Sequence, residues 1–296
     1  MIQYPFIDNV ARLGPQSFTL KPFLAGELGP EDSFFPMLRR GRVQVAAVSS
    51  YTLTTVAPEF SLLRAPFLFG SVEEFAFVYD TRLAAIYRDL LAAQGLVHIQ
   101  WMPSGWEGLY ARDPVRMPGE LKGFRLRVPV EPSAQELFAS LGADMIQIPF
   151  AEVIPSLQTG LIDGGEGTVS VYLSGAVHAE APHYTRTEHG LHVGHLIANA
   201  RWHGELPARD RDLLREAYLP PLEALALLWP RLDGDLAKVE AGQGAVVHAL
   251  NDDQRAAWRD AARGVTARLV QTLGGRSAEI LTLIEDGKRT YAAQGG

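Results

Sequence analysis

The stretch "KGFRLRVPVEP", residues Lys122–Pro132, contains the clearest strand pattern in this sequence. Side chains alternate between the two faces of a β-strand, so its apolar residues share one face while Arg125 and Arg127 share the other. Pro129 then ends the strand. The chain has a net charge of −7, so its overall field does not attract anions. Two guanidinium groups at the end of this strand therefore indicate either a local anion site or a surface ion pair.

The composition is that of an ordinary folded protein. The chain has 296 residues, of which 47% are hydrophobic and 21% are charged, and its length suggests two domains or one large one. It contains no cysteine, which excludes disulfide bonds and thiolate metal sites. The acidic balance argues against nucleic acid as a partner, and no apolar run approaches the ~18 residues of a membrane span.

Strand and helix patterns alternate along the first two thirds of the chain. Residues 17–23, 43–50 and 96–102 have the composition of strands, and helical patterns lie between them. The alternation then restarts, with strands predicted at 124–129 and 144–150 around another helix. Short apolar strands that alternate with helices predict an α/β fold with a largely parallel sheet. The C-terminal third is predicted to be helical.

Two blocks of this sequence resemble the solute-binding proteins of tripartite ATP-independent periplasmic (TRAP) transporters of the DctP type. The blocks are "LKGFRLRVP", which starts at Leu121, and "LGADMIQIPFAEVIPSLQTGLIDGGE", which starts at Leu141. The upstream segment "PEFSLLRAPFLF" resembles the same family. The positions that match the family pattern in the two blocks are Leu121, Lys122, Gly123, Arg127, Val128, Pro129, Leu141, Gly142, Ala143, Phe150, Glu152, Val153, Leu157, Gln158, Gly160, Asp163 and Gly164.

The resemblance implies a fold of the periplasmic-binding-protein type, with two α/β lobes and a ligand cleft between them. We predict that lobe I contains residues 1–104 and 193–232, and that lobe II contains residues 105–192 and 233–296 with the C-terminal helices. Family members begin with a strand ahead of the first helix, and this N-terminal strand is predicted to be missing. Pro220, Pro221 and Pro230 fall where relatives have a long helix, which predicts a kink or a break.

The resemblance also implies a function without catalysis, cofactor or metal. The predicted ligand is a small organic carboxylate, and the predicted partners are the membrane subunits of a TRAP transporter. The implied location is the periplasm, although the segment "MIQYPFIDNVARLG" at the N-terminus lacks the basic and apolar regions of a secretory signal.

The family pattern assigns the main ligand contact to Arg127, whose planar guanidinium matches a carboxylate with two hydrogen bonds. Phe150 is predicted to lie against the body of the ligand. Relatives often have an asparagine where this chain has Gly167, so the second anchor is predicted to be either absent or supplied by Thr168 or a main-chain N–H. Glu166 in the same glycine-rich turn completes the candidates from this segment.

Four further candidates come from strand ends and from the return segment between the lobes. Ser49 and Tyr51 follow a predicted strand, where their hydroxyls either reach the ligand or cap the next helix. Trp106 either lines the cleft or is buried in the core. His192 is predicted to contact the ligand from the segment that crosses back between the lobes.

Two other functions compete with this interpretation. His189, His192 and His195 lie three residues apart in "HGLHVGH", and histidine is a common metal ligand, which raises a metal-dependent hydrolase as the alternative. The second alternative is a cytoplasmic or sensory relative of the binding protein, because a signal sequence is not recognised at Met1.

Overall fold

The structure is a computed structural model that describes residues 3–24 and 26–295. Within these residues it contains eight β-strands and fourteen α-helices. The strands are β1 Val45–Ser49, β2 Leu96–Ala111, β3 Arg125–Val128, β4 Asp144–Gln147, β5 Gly164–Thr168, β6 His183–Arg186, β7 Leu191–Asn199 and β8 Val246–Ala249. The helices are α1 Gln3–Leu13, α2 Glu31–Arg39, α3 Ser50–Thr54, α4 Val72–Val78, α5 Ala84–Ala92, α6 Pro132–Ser140, α7 Val153–Thr159, α8 Val169–Ser174, α9 Ala200–Glu205, α10 Ala208–Glu216, α11 Pro221–Ala241, α12 Asp252–Ala261, α13 Val265–Leu273 and α14 Ser277–Ala293.

One mixed sheet connects these elements, with strand order β1-β7-β2-β5-β3-β4 and with β6 and β8 beside β2. The pairs β1–β7, β7–β2, β2–β5 and β2–β6 are antiparallel, whereas β3 pairs in parallel with β4 and β5, and β6 with β8. The α/β prediction is confirmed, but the sheet is not largely parallel. Local composition gives the length and burial of a strand, whereas its direction depends on distant pairing.

Strand β2 is the element that links the two halves of the sheet. Its first part, up to Trp106, pairs with β7, and its last part, from Glu107 to Ala111, pairs with β5. The strand continues through Pro103–Gly105 with a shift of register. Gly105 has a φ of 123° there, a backbone conformation that glycine adopts without steric cost.

Separate apolar clusters lie on the two halves. Phe60, Phe75 and Trp101 belong to the large cluster around β1, β7 and the first part of β2, whereas Phe138 and Trp258 belong to a cluster on the β3 side. The last helix packs in the first cluster through Ile280 and Ile284, although the predicted partition placed residues 233–296 in lobe II. An amphipathic pattern predicts that one face of a helix is buried, but it does not predict which apolar cluster that face packs against.

Two local predictions have clear outcomes, and a third does not. Residues 17–23 form no strand, and the segment pairs with no strand among the described residues. The predicted break occurs before α11, because Pro221 is the first residue of that helix, where its missing N–H has no cost. Pro230 lies inside α11 without ending it. The predicted absence of an N-terminal strand concerns residues ahead of the described ones and stays a prediction.

No helix among residues 3–24 and 26–295 combines the length and the apolar character needed to cross a bilayer.

Candidate functional site

Strand β5 has two different faces, and the candidate site depends on this difference. Tyr110 of β2 pairs with Gly165 of β5, and Gly165 pairs with Arg127 of β3, so these three residues form one row across the sheet. Glu166, the next residue of β5, projects to the opposite face. The sheet therefore separates a side with Tyr110 and Arg127 from a side with Glu166.

On the first side, Arg127 and Phe150 lie close together beyond β3 and β4. Arg127 is half-buried, its Nε donates a hydrogen bond to the carbonyl oxygen of Ile148 at 3.3 Å, and its Cζ lies 5.9 Å from the centre of the Phe150 ring. Phe150 is 41% exposed. We call Arg127, Tyr110, Phe150 and Gly165 the Arg127 group.

The guanidinium of Arg127 has no carboxylate partner in the described part of the chain. Among the residues that the structure describes, no Asp or Glu oxygen lies within ion-pair distance of it, and its only hydrogen bond goes to a main-chain carbonyl. The neighbouring Arg125 contrasts with it, since that side chain is exposed and bound to Asp163. A half-buried guanidinium without an acid is suited to a carboxylate that comes from outside the chain.

Tyr110 contributes a buried hydroxyl to the same side of the sheet. Its side chain is 0% exposed, and its Oη has no hydrogen-bond partner among the described residues. The ring extends over Gly165, because a Cβ on that glycine would lie only 2.3 Å from the Tyr110 Oη. Burial raises the pKa of Tyr110, and Arg127 opposes this shift in part, so the phenol stays protonated at neutral pH.

On the opposite side, Arg64 is surrounded by three buried glutamates. Its Nη1 donates to Glu131 at 2.7 Å, and its Nη2 donates to Glu107 at 3.0 Å and approaches Glu166 at 3.5 Å. The guanidinium also lies 4.2 Å from the centre of the Tyr51 ring. We call Arg64, Glu107, Glu131 and Glu166, with the tyrosine and the histidines that bind them, the Arg64 network.

Two histidines complete this network. His192 Nδ1 donates to Glu107 at 2.9 Å, and His189 Nε2 donates to Glu166 at 3.0 Å. The hydroxyl of Tyr51 also donates to Glu107, at 2.8 Å. Almost every polar atom here has a partner within the chain, apart from Arg64 Nε and Glu107 Oε2 among the described residues. The network therefore has the features of a structural ion cluster.

The charges of the network shift its pKa values in opposite directions. Burial raises the pKa of Glu107, but Arg64 and His192 oppose it, and the net pKa of Glu107 is well below its ordinary value. Burial raises the pKa of Glu131 above its ordinary value, and Arg64 offsets this only in part. Burial acts to lower the pKa of Arg64, yet the surrounding acidic groups, Glu166 and Glu107 among them, raise it well above the usual value.

A separate open cleft of about 780 Å³ lies beside β2, where Trp106 and Trp229 contribute aromatic walls. We call it the Trp106 cleft. Three of its four cations are bound by acids, since Arg186 pairs with Asp233, Arg255 with Glu188 and Lys288 with Glu74. Arg127 and Phe150 do not line this cleft. Most cations that line this cleft are therefore already neutralised by acidic side chains of the protein itself.

The residues that line the Trp106 cleft include two with strained backbone. Phe67 has a φ of 53° and Glu188 a φ of 51°, values that are uncommon for residues other than glycine. Both flank His189, because the Phe67 N–H donates to the His189 carbonyl oxygen at 2.9 Å. Such strain persists only where the surrounding structure enforces it.

The family model for bacterial extracellular solute-binding proteins, family 7 (DctP), matches residues 8–272 of this chain. The chain belongs to this family. The match confirms the resemblance that the sequence blocks predicted.

Individual relatives of this DctP-family protein agree with the assignment. A solute-binding protein of Chromohalobacter salexigens is 29% identical over 204 residues, which are 68% of this chain and 60% of that relative. The ectoine-binding periplasmic protein TeaA of Halomonas elongata is 26% identical over 272 residues, 89% of this chain and 79% of that relative.

Solved structures confirm the two-lobe α/β fold. The ectoine-binding protein of the TeaABC TRAP transporter has a TM-score of 0.88 and 23% identity, and the match covers 98% of this chain and 96% of that chain. A TRAP solute-binding protein of Chromohalobacter salexigens, solved with bound D-glucuronate, has a TM-score of 0.87 and 24% identity, with 97% and 94% covered.

The predicted site residues of this DctP-family protein fall into three places. Arg127 and Phe150 lie together, and Gly167 lies on the same face as Gly165, where a Cβ would meet the Tyr110 ring at 3.5 Å. Trp106 is half-buried and lines the Trp106 cleft. Tyr51, Glu166 and His192 belong to the Arg64 network, and this placement was not visible from the local sequence. Their predicted ligand contacts stay predictions.

Two predicted residues cap helices instead of standing free. Ser49 precedes α3, where it accepts a hydrogen bond from the Thr52 N–H, and its hydroxyl donates to Glu31 at 2.7 Å. Thr168 precedes α8 and accepts from the Val171 N–H at 3.4 Å. For Ser49, the capping alternative is therefore the arrangement in the structure.

The three histidines of the hydrolase alternative do not converge. His189 binds Glu166, His192 binds Glu107, and His195 Nε2 lies 2.9 Å from Ser50 Oγ. The Ser50 hydroxyl donates to the Val193 carbonyl, so it accepts from His195 Nε2. Among the described residues, no group of three or more His, Asp or Glu side chains is placed to hold a metal ion.

The sequence reasoning missed Arg64, Glu107 and Tyr110. A signal existed for Arg64, because an arginine inside the apolar segment "PEFSLLRAPFLF" needs buried partners. No comparable signal existed for Tyr110, since its role depends on Gly165, which lies 55 positions further along the chain.

Proposed function

We propose that this protein captures a small organic carboxylate outside the cytoplasm and delivers it to the membrane subunits of a TRAP transporter, without catalysing a reaction. The observation that carries the proposal is the guanidinium of Arg127, which is half-buried, free of carboxylates among the described residues and placed beside the exposed ring of Phe150. Membership of a solute-binding family supports a ligand-binding role for this guanidinium.

The chemistry of the Arg127 group supports an acid as the ligand. A guanidinium offers two parallel N–H donors to a carboxylate and keeps its charge at every physiological pH. The Phe150 ring adds an apolar surface for the carbon skeleton of the ligand. The D-glucuronate in the relative from Chromohalobacter salexigens is a carboxylate, which supports the same class of ligand for this protein.

The experiment is a thermal-shift screen of the purified protein with small carboxylates, including succinate and D-glucuronate. A ligand at 100 times its dissociation constant stabilises the folded state by about 2.7 kcal/mol, which is readily visible in the melting temperature. Calorimetry with the best ligand then compares the wild type with Arg127→Lys. We expect the variant to bind at least about tenfold more weakly, because an ammonium does not form the planar two-bond contact.

Arg125→Lys is the matched control, since Arg125 is the other arginine of β3 and is bound to Asp163 on the surface. It is expected to bind like the wild type. Unchanged affinity in Arg127→Lys, or the lack of a thermal shift with every carboxylate, would contradict the proposal.

A further inference from the structure

Two hydrogen-bond donors of the Arg127 group are incompletely used. Among the described residues the Tyr110 hydroxyl has no partner although its side chain is fully buried, and Arg127 donates only one hydrogen bond, from Nε to the Ile148 carbonyl. A buried hydroxyl without a partner costs about 1–3 kcal/mol, so native structures rarely keep one without a reason.

The sheet register brings these two donors to the same place. Tyr110, Gly165 and Arg127 occupy one row on adjacent strands, and residues in one row project to the same face. The phenol extends across the row, since its Oη lies 2.3 Å from the position that a Gly165 Cβ would take. The hydroxyl therefore lies where a side chain of Gly165 would stand, in the strand position next to Arg127 in the row.

The neighbouring glycine strengthens this geometry. Gly167, the next residue of β5 on this face, has no side chain to offer, and a Cβ there would meet Tyr110 Cε1 at 3.5 Å. The space above β5 is thus taken by the Tyr110 ring. The hydroxyl lies over Gly165 and a ring carbon lies over Gly167.

We propose that the Tyr110 hydroxyl donates a hydrogen bond to the ligand carboxylate that Arg127 binds, and that Gly165 provides the room for it. This inference rests on the proposed function. The carboxylate then receives two bonds from the guanidinium and one from the phenol. Because both Tyr110 and Arg127 donate hydrogen bonds, the ligand group between them has to be an acceptor. The two residues therefore favour a carboxylate over an ammonium or an amide N–H.

The protonation state of the phenol is suited to this role. Burial raises the pKa of Tyr110, and the nearby Arg127 opposes the shift in part. The hydroxyl therefore remains a donor throughout the physiological range.

The test is Tyr110→Phe, which removes the hydroxyl and keeps the ring. Tyr172→Phe is the matched control, because Tyr172 is also buried in the same apolar cluster but its hydroxyl already donates to the Ala181 carbonyl at 3.0 Å. Affinity is measured by calorimetry with the best carboxylate of the screen. Stability without ligand is measured by urea unfolding.

We expect Tyr110→Phe to bind about 10- to 100-fold more weakly, the range for a lost hydrogen bond to a charged group. Its ligand-free stability should equal or exceed that of the wild type, because an unsatisfied hydroxyl is removed. Tyr172→Phe should show the reverse pattern, with lower stability and unchanged affinity. The opposite changes in affinity and stability in the two variants distinguish a hydroxyl that contacts the ligand from one that only stabilises the fold.

Wild-type affinity in Tyr110→Phe overturns the inference. A loss of ligand-free stability without a loss of affinity overturns it as well, since that result identifies a hydroxyl held by a buried water. If Arg127→Lys loses binding while Tyr110→Phe does not, only this inference fails. If the wild type binds no carboxylate, the proposed function fails together with it.

Discussion

Arg64 and Arg127 lie on opposite faces of the same sheet and have opposite surroundings. Arg64 is buried among three glutamates and a tyrosine ring, whereas Arg127 has no acid among the described residues and is only half-buried. The first is a cation whose partners are built into the chain. The second is a cation for which the described residues supply no carboxylate. Burial and the number of carboxylate partners therefore distinguish an arginine with a structural role from one that we propose binds a ligand.

Removal of Arg64 should have the largest effect. Arg64→Met leaves Glu107, Glu131 and Glu166 buried without their cation, and breaking a buried ion pair in this way costs about 3–5 kcal/mol. Urea unfolding of the ligand-free protein measures the loss. A variant as stable as the wild type would show that the network is not structural, and the comparison between the two arginines would fail.

Acid should affect folding and binding differently. Burial, with a smaller effect from Arg88, lowers the pKa of His98 to about 3, and burial lowers that of His195 well below its usual value. In the unfolded chain these histidines therefore bind protons near pH 6.5, whereas in the folded chain they stay neutral at that pH. The free energy of unfolding therefore decreases as the pH falls below about 6.5. Between pH 8 and pH 5, His98 alone should cost about 2 kcal/mol, as measured by urea unfolding.

Ligand affinity over the same titration is the internal control, as long as the protein stays folded. A guanidinium keeps its charge and carboxylates remain ionised above pH 6, so the dissociation constant should be the same at pH 8 and pH 6. A flat stability curve would contradict the assignment of His98 and His195 as neutral buried groups.

Gly165→Ala tests the Arg127 side. The new Cβ would lie 2.3 Å from the Tyr110 Oη, so the phenol must move away from the row. We expect at least about a tenfold loss of affinity, and overpacking of this kind typically destabilises by about 1–3 kcal/mol. Gly119→Ala serves as the control, because a Cβ there meets no atom within 4 Å. Equal effects in the two variants would contradict the proposed arrangement.

Arg125→Met should have the smallest effect. Arg125 is 47% exposed at its side chain and its ion pair with Asp163 is open to solvent, which weakens such pairs strongly. The urea midpoint and the ligand affinity should both match those of the wild type. A marked loss of affinity would show that the exposed arginine of β3 takes part in binding.

The sequence predicted the parts of this molecule that depend on local pattern. The alternation in "FRLRV" correctly separated Leu126 and Val128, which pack in the core, from Arg125 and Arg127. The family blocks correctly predicted the two-lobe fold. These features are set by neighbouring residues, so they can be read from one segment at a time.

The rest depends on contacts between distant segments. Arg64 meets Glu107, Glu131 and Glu166, which lie 43, 67 and 102 positions further along the chain. The role of Tyr110 depends on the register between β2 and β5, and a shift of one residue would turn its ring to the other face. No local motif contains that information.

Strand β2 passes without interruption from the part of the sheet paired with β7 to the part paired with β5. Because one continuous strand belongs to both halves of the sheet, a change in the angle between the halves has to bend this strand. A strand bends most easily where its pairing is already irregular. The ladder is irregular at two places, His98–Gln100 and Pro103–Gly105, and the second ends one residue before Trp106 and two before Glu107. The bend that β2 can accept there is therefore next to the residue that binds Arg64, Tyr51 and His192.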